Sequence, residues 1–230
     1  PVMEKPLAMQ AGIGWQGKHT NIVSKEYGSW LFLSSIFLDI KLKANSESRD
    51  HCGTCNQCID ICPTNAIIAP YKIDAKKCIS YLTIENKGGI PEEFRKPMGN
   101  RVFGCDDCQT ICPWNKTAKT TSEIDFSPRH NLDNRKLAEL FLWTECEFLE
   151  YTKGSPIRRI GYERWLRNLA IGLGNAVYSK KVVQSLTSRK DFPSKMVQEH
   201  VSWALVQQKN KCARINSRVQ ALSSVPPTLQ

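Results

Sequence analysis

Closely spaced cysteines constrain the fold of this chain more than any other feature. A first group lies within "HCGTCNQCIDICPTNA" and comprises Cys52, Cys55, Cys58 and Cys62. A second group lies within "CDDCQTICPWN" and comprises Cys105, Cys108 and Cys112, while Cys78 stands alone between the groups. Thiols two residues apart in series are poorly placed to pair with each other, and disulfide scaffolds are usually short secreted chains. The clustering therefore favours a metal centre over disulfide bonds.

The spacing of the first group is that of bacterial four-iron ferredoxins, C-x2-C-x2-C-x3-C-P. In two-cluster proteins the fourth cysteine of this run ligates the other cluster. When the second group is aligned on the first, Val102 stands where the match to Cys52 would fall, and Cys78 can fill that gap. The sequence therefore predicts two 4Fe-4S clusters. We expect one to be held by Cys52, Cys55, Cys58 and Cys112, and the other by Cys62, Cys78, Cys105 and Cys108.

Zinc is the competing interpretation of these cysteines, because four-thiol zinc sites are built from C-x2-C pairs. That interpretation leaves the third thiol of the first group unexplained, together with the two prolines that follow Cys62 and Cys112. The remaining cysteines, Cys146 and Cys212, fall in segments with helical periodicity, and we expect them to be ordinary buried thiols.

The chain as a whole is predicted to have an α+β fold. Residues 1–45 have the pattern of the end of an α/β domain, in which Trp30–Ile40 would form a buried strand. Residues 46–130 contain the predicted ferredoxin-like module. Residues 131–215 show helical periodicity, and the related segments "AIGLG" and "SWALV" suggest a HEAT-like array, with a plain helical bundle as the alternative. Residues 216–230 are expected to form a flexible tail.

The net charge of +10, from 32 lysines and arginines against 22 acidic residues, favours a polyanionic partner. The alternative is a basic surface that only keeps the protein in solution. No signal peptide is recognisable, and the longest apolar run is too short to cross a bilayer. We therefore expect a soluble, cytoplasmic protein without membrane association.

Several segments resemble the epoxyqueuosine reductases, in order along the chain. They are "GWQGKHT", "GSWLFL", "HCGTCNQCIDICPTNAI", "DAKKCISYLTIENKGGIPEEFR", "GNRVFGCDDCQTICPWN" and "RRIGYERWLRNLAIGLGN". The resemblance implies an oxidoreductase of queuosine biosynthesis that reduces epoxyqueuosine to queuosine at the wobble position of a tRNA. Electrons would pass from an external donor through two 4Fe-4S clusters to cobalamin. The resemblance further implies a monomer whose first residues end a corrinoid-binding domain.

The same resemblance implies positions for the binding residues. Those facing cobalamin would be Ile22, Leu33, Ser80, Cys105 and Asp106. Those facing the tRNA anticodon stem-loop would be Asn86, Lys87, Arg95, Arg158, Arg159, Arg164 and Arg167. Each has a simpler alternative, since Ser80 and Asp106 could only cap turns and the arginines could form a solvated helix face.

No catalytic residue is expected within the chain. The proton donor of the family is an aspartate just upstream of a "P-V-x-E" segment, and the sequence begins with the proline of that segment, Pro1. We therefore expect the sequence to be the C-terminal portion of a longer protein.

Two other functions stay open on the sequence alone. A reductive dehalogenase-like enzyme also couples a corrinoid to two four-iron clusters. A dicluster electron-transfer subunit would need the clusters only. Corrinoid binding separates the two enzymes, the epoxyqueuosine reductase and the dehalogenase-like enzyme, from the electron-transfer subunit. Salt-sensitive tRNA binding separates the epoxyqueuosine reductase from the dehalogenase-like enzyme.

Overall fold

The chain divides into two compact units that interleave along the sequence. The first comprises Pro1–Tyr81 and Cys105–Ser127, and the second comprises Leu82–Gly104 and Pro128–Gln230. The computed structural model describes the backbone of residues 2–223 and the side chains of residues 2–217. The chain therefore leaves the first unit after the isolated cysteine and returns to it at the second cysteine group. The predicted boundaries near residues 45, 130 and 215 remain predictions.

The described residues are mostly helical, with few and short strands. The helices are α1 (Glu4–Gln10), α2 (Gln57–Asp60), α3 (Glu92–Arg95), α4 (Asp107–Thr110), α5 (Leu137–Leu142), α6 (Glu145–Tyr151), α7 (Tyr162–Asn175), α8 (Lys180–Thr187) and α9 (Lys195–Ser223). The strands form two antiparallel pairs, β1 (Trp15–Gln16) with β2 (Ile22–Val23) and β3 (Ile67–Ala69) with β4 (Lys72–Ile73). A π-helical turn spans Tyr81–Glu85, and short 3-10 helices include Ala75–Lys77, Pro113–Asn115 and Pro156–Ile160.

The first unit places a tight hairpin loop and two equivalent short helices near the cysteines. The loop between β1 and β2 is closed by a hydrogen bond from the Gly17 N–H to the Asn21 carbonyl, 2.8 Å. Helix α2 lies in the first cysteine group and α4 lies in the second, and the two helices contact each other. The repeated C-x2-C-x3-C-P sequence thus gives a repeated loop and single helical turn.

The predicted strand at Trp30–Ile40 is wrong. The segment has no regular secondary structure, and most of its large apolar side chains are exposed, including Phe32 at 89%. Phe32 stacks on Phe126 with ring centroids 5.8 Å apart. A run that is apolar on both faces forms a strand only when other strands pair with its edges and further layers cover both faces. Within the described residues no strand pairs with this segment.

The second unit confirms the prediction of helices in the C-terminal region. Helix α7 is buried along most of its length, and it packs closely on α9. The contact joins the related segments "AIGLG" and "SWALV", because a Cβ at Gly174 would lie 2.5 Å from the Trp203 ring and 3.0 Å from the Ala204 Cα. Only glycine at this position allows such a close approach.

The structure modifies two smaller expectations in the same region. Cys146 on α6 and Cys212 on α9 lie on helices, as predicted, but Cys146 is exposed and Cys212 is half-buried. Helix α9 continues to Ser223, so the first part of the predicted tail is helical, and residues 224–230 lie outside the described residues. Among the described residues, no helix has both the length and the hydrophobicity that crossing a membrane requires.

Candidate metal centre

The eight clustered cysteines of the first unit line two cavities, four thiols to each. The first cavity is lined by Lys18, His19, His51, Gln57, Pro113 and Trp114 together with Cys52, Cys55, Cys58 and Cys112. The second is lined mainly by apolar residues together with Cys62, Cys78, Cys105 and Cys108. Each cavity therefore takes thiols from both cysteine groups, in the same two sets of four that the spacing predicts.

Local backbone geometry explains how two short loops present so many sulfurs. In the first group, the Cys55 N–H donates to the Cys52 carbonyl at 3.2 Å, and Gly53 in this turn has a φ of 50°. Asn56 and Asp106 precede the two helices with nearly equal backbone angles, φ −125° and ψ 10° against φ −111° and ψ 12°. Because the loops repeat, the last cysteine of each group is turned away from the others and contributes to the opposite set.

Burial and mutual proximity raise the pKa of thiols in both cavities. Burial raises the pKa of Cys58 to about 11, with further contributions from the neighbouring Cys52 and Cys112. Burial likewise raises the pKa of Cys108 to about 12, with contributions from Cys105 and Cys78. Without a metal these thiols stay protonated at neutral pH. Cationic metal favours the thiolates, so loading the cavities must release protons.

A buried lysine ties the hairpin loop to the first cysteine group. Lys18 is only 7% exposed, and its ammonium donates to the Gly53 carbonyl at 2.8 Å, the Cys55 carbonyl at 2.9 Å and the Asn56 Oδ1 at 3.0 Å. The ammonium group thereby satisfies three hydrogen-bond acceptors in the loop that carries Cys52 and Cys55. This role of Lys18 could not be predicted from the sequence, because its partners lie 35 to 38 residues away along the chain.

We expect replacement of Lys18 with methionine to weaken metal retention. The substitution keeps most of the side-chain volume but leaves two loop carbonyls without their donor, which costs about 2 kcal/mol. If that cost falls on the loaded state, a chelator should remove iron about tenfold faster or more. The control is Lys25→Met, which changes an exposed lysine of the same unit. Equal rates of iron loss in the wild-type protein and Lys18→Met would contradict this role.

Next to Lys18, His19 lines the same cavity in its neutral form. Its ring is 3% exposed, and its Nδ1 accepts a hydrogen bond from the Asn21 backbone N–H at 3.1 Å. Burial lowers the pKa of His19 to about 4, and the nearby Lys5 acts in the same direction. The histidine is therefore uncharged at neutral pH, with its proton on Nε2. The motif "GKHT" carries both residues but does not by itself indicate these contacts.

The residues expected to face cobalamin lie in different environments. Ser80 and Cys105 hold each other: the Cys105 N–H donates to the Ser80 Oγ at 3.0 Å, and that hydroxyl donates to the Cys105 carbonyl at 3.3 Å. Asp106 is exposed at the start of α4. Ile22 is buried in β2, and Leu33 is half-buried in the irregular segment after it. The structure thus brings Ser80 and Cys105 together.

Some of the residues expected to face tRNA are exposed on the second unit. Lys87, Arg158 and Arg159 are exposed, and Arg159 forms an ion pair with Glu85 at 2.6 Å. Asn86 is half-buried, and its side chain shapes its own loop by accepting from the Gly88 N–H at 3.2 Å. The charged groups of Lys87 and Arg158 therefore lie at the surface of the second unit.

Other members of the same set are held inside the second unit. Arg164 is half-buried and donates to the Ile84 carbonyl at 2.9 Å. Arg95 is buried, where it donates to the Ile90 carbonyl at 2.8 Å and pairs with Glu199. Intramolecular acceptors therefore take up these guanidinium groups.

Arg167 is the clearest departure from the expected tRNA surface. It is 0% exposed and donates to the carbonyls of Leu82 and Asn86, each at 2.8 Å, and to that of Gly88. Burial lowers the pKa of Arg167 to about 10, which still leaves it charged at neutral pH. Burial therefore argues against the expected phosphate contact of Arg167 and against the expected position of Arg95 facing the tRNA. Both arginines are buried because an irregular loop presents carbonyl groups that need donors.

The cysteine-rich segment defines the class of protein. Residues 51–115 match the family described as the 4Fe-4S double cluster binding domain. The match begins just before the first cysteine group and ends just after the second. This segment is therefore similar to the iron–sulfur domains that hold two clusters.

The resemblance to the epoxyqueuosine reductases is confirmed over most of the chain. The epoxyqueuosine reductase of Xanthomonas campestris pv. campestris is 58% identical over 207 residues, which are 90% of this chain. The chain spans 58% of the length of that relative.

Solved structures give the same relationship. The epoxyqueuosine reductase of Bacillus subtilis, with its catalytic aspartate loop swung out of the active site, matches with a TM-score of 0.85 and 30% identity. That match covers 98% of this chain and 60% of the other. An epoxyqueuosine reductase crystallised with an epoxyqueuosine-modified tRNA-Tyr stem loop matches with a TM-score of 0.67 and 26% identity, over 90% of this chain and 63% of the other.

Proposed function

We propose that this chain is the cluster-bearing portion of an epoxyqueuosine reductase, an oxidoreductase that converts epoxyqueuosine to queuosine at the wobble position of a tRNA. The observation that carries the proposal is the division of the eight cysteines between two cavities, each lined by four thiols that include members of both groups. The 58% identity to an epoxyqueuosine reductase supports the choice of reaction.

The cysteines of each cavity are the proposed ligands of one 4Fe-4S cluster. The first set is Cys52, Cys55, Cys58 and Cys112, and the second is Cys62, Cys78, Cys105 and Cys108. Four thiolates are the donor set that such clusters require. The third closely spaced thiol of the first group and the prolines after Cys62 and Cys112 support clusters over zinc, whose four-thiol sites are built from C-x2-C pairs. When bound, the clusters supply single electrons to a reduction that needs two electrons and a proton.

Cobalamin is the second proposed cofactor, with Ile22, Leu33, Ser80, Cys105 and Asp106 as its contacts. The support lies in Cys105, which lines the second cavity while its backbone is held by the Ser80 hydroxyl. A corrinoid at this position would lie beside the cluster of the second cavity. Residues 1–45 would then end a corrinoid-binding domain, residues 46–130 would be the ferredoxin-like module, and residues 131–215 would be a HEAT-like helical region.

The basic surface of the second unit is the proposed tRNA-binding face. Lys87, Arg158 and Arg159 are exposed there. Lys87 lines a groove together with Arg164, whose guanidinium is held by backbone carbonyls, and with Glu145 and Glu163. Lysine and arginine contact phosphates without regard to base sequence, so this face would position the stem-loop. The net charge of +10 and the related enzyme crystallised with a modified tRNA-Tyr stem loop support this assignment. The proposal includes an external electron donor, a monomeric state and a cytoplasmic location.

The test of this function is anaerobic reconstitution of the full protein with iron, sulfide and cobalamin, followed by assay on epoxyqueuosine-containing tRNA. We expect queuosine to form, and we expect binding of the stem-loop to weaken steeply as salt is raised. A protein with both clusters and cobalamin bound that leaves the epoxide intact would contradict the assignment. A reductive dehalogenase-like enzyme would bind the corrinoid but not the tRNA. An electron-transfer subunit would bind neither.

A further inference from the structure

The imidazole of His19 carries a hydrogen-bond donor without an acceptor in the described part of the chain. Its Nδ1 accepts from the Asn21 N–H at 3.1 Å, so the ring proton resides on Nε2. That Nε2 is buried and makes no hydrogen bond to the described residues. A buried donor without a partner costs about 1–3 kcal/mol. The geometry therefore indicates that an acceptor belongs next to this ring.

The position of the ring indicates which acceptor that is. His19 lines the first cavity together with the thiols of Cys52, Cys55, Cys58 and Cys112. The missing side chain of Gly17 keeps one ring edge open, since a Cβ there would lie 3.0 Å from Cε1 and 3.3 Å from Nε2 of the histidine. A cluster in this cavity would bring sulfide and thiolate sulfurs, which accept hydrogen bonds, next to the imidazole.

Trp15 provides a second donor of the same kind. Its indole Nε1 is also buried and makes no hydrogen bond to any residue that the structure describes. Its ring packs against His51 and Trp114, which both line the first cavity, with ring centroids 4.9 Å and 5.0 Å apart. Two buried N–H groups thus lie at or beside the first cavity, in addition to the Lys18 ammonium, which donates to the loop of the first cysteine group.

The second cavity has a different lining. Ile67, Ile73 and Ile79 are among its walls. One of its sulfurs, that of Cys62, accepts from the backbone N–H of Ala66 at 3.2 Å. A backbone donor of this kind cannot be removed by changing its own side chain, whereas His19 places a side-chain donor at the first cavity. The two clusters would therefore differ in the hydrogen bonds and charge around them.

We propose that His19 donates its Nε2–H to a sulfur of the cluster in the first cavity and so raises the reduction potential of that cluster. The proposal rests on the cluster ligands assigned above, and it concerns the potential, not the identity, of the substrate. Hydrogen bonds to cluster sulfurs stabilise the reduced state because that state is more negatively charged. His19 thereby makes the two clusters electronically inequivalent.

The test is a redox titration of the full, reconstituted protein, followed by electron paramagnetic resonance, in the wild type, His19→Phe and His19→Gln. In His19→Phe, which keeps a ring but lacks the donor, we expect one of the two midpoint potentials to shift to a more negative value and the other to stay unchanged. In His19→Gln, which retains an N–H, we expect most of the shift to be reversed. His200→Gln, a change at a buried histidine of the second unit, should shift neither potential.

Two results would overturn the proposal while leaving the proposed function standing. The first is a His19→Phe protein that holds a full complement of iron and has both potentials unchanged. The second is the absence of hyperfine coupling in the labelled protein described next. If His19→Phe loses iron, the deciding measurement is made on His51→Gln protein labelled with histidine-¹⁵N, because His51 also lines the cavity. Hyperfine coupling between the reduced cluster and histidine nitrogen supports the proposal, and its absence overturns it. Failure of the wild type to bind two clusters would instead overturn the proposed function itself.

Discussion

Replacing Cys78 with serine is expected to lower the iron content of the reconstituted protein from about eight to about four atoms per chain. Cys78 stands outside both cysteine groups, yet it lines the second cavity with Cys62, Cys105 and Cys108. The 3-10 helix Ala75–Lys77 holds it there, and the Asp74 side chain begins that helix by accepting from the Lys76 N–H at 3.1 Å. A serine hydroxyl remains protonated and is a poor iron ligand, so the second cluster should be lost while the first is kept.

The matched control for this experiment is Cys146→Ser. Cys146 is exposed on α6 in the other unit, so its replacement should leave the iron content at the wild-type level. Iron and sulfide are measured by chemical analysis after anaerobic reconstitution. An unchanged iron content in Cys78→Ser would remove Cys78 from the ligand set, and with it the two-cluster partition.

Replacing Arg167 with methionine is expected to lower the free energy of unfolding of the second unit by about 3 kcal/mol or more. The substitution leaves the carbonyls of Leu82, Asn86 and Gly88 without the guanidinium that now satisfies them. Because Arg167 is fully buried, water cannot replace the lost donors without opening the helix packing. Denaturant unfolding, followed by the tryptophan fluorescence and the far-UV circular dichroism of the full chain, gives the difference in free energy.

Two further variants separate burial from charge. Arg158→Met removes an exposed guanidinium, and we expect it to change the free energy of unfolding by about 0.5 kcal/mol or less. Arg167→Lys keeps the charge but loses the planar arrangement of donors, and we expect only partial recovery. If Arg158→Met and Arg167→Met were equally stable, the buried hydrogen bonds of Arg167 would not stabilise the unit.

The cysteine pattern could be interpreted from sequence because cluster binding depends on short, local spacings. The first group and its proline already required a fifth sulfur from elsewhere, and Cys78 was the one available thiol between the groups. The helices after residue 136 could also be predicted, because the periodic apolar residues of α7 and α9 pack against each other. In both cases, the pattern that predicts the structure is formed by residues that are close together in the sequence.

The errors arose where burial depends on distant residues. The apolar run Trp30–Ile40 has the composition of a strand, but composition cannot supply the neighbours that a strand requires. Arg167 and Arg158 look alike in the sequence, and only the fold shows that one lies under a carbonyl-lined loop and the other in solvent. His19 is a further case. Only the structure shows that its Nε2 is buried and has no hydrogen-bond partner among the described residues, because the cysteine loop that covers it is distant along the chain.

The interleaved path of the chain has a consequence for how the metal-free protein assembles. Cys78 precedes the excursion Leu82–Gly104, and Cys105 follows it directly. A cluster bound by these two thiols would therefore close the loop of residues 79–104. Closing this loop removes conformational entropy that the chain has in the metal-free state. If Cys78 and Cys105 hold the second cluster as proposed, its assembly would also restrict the conformations of the segment between them.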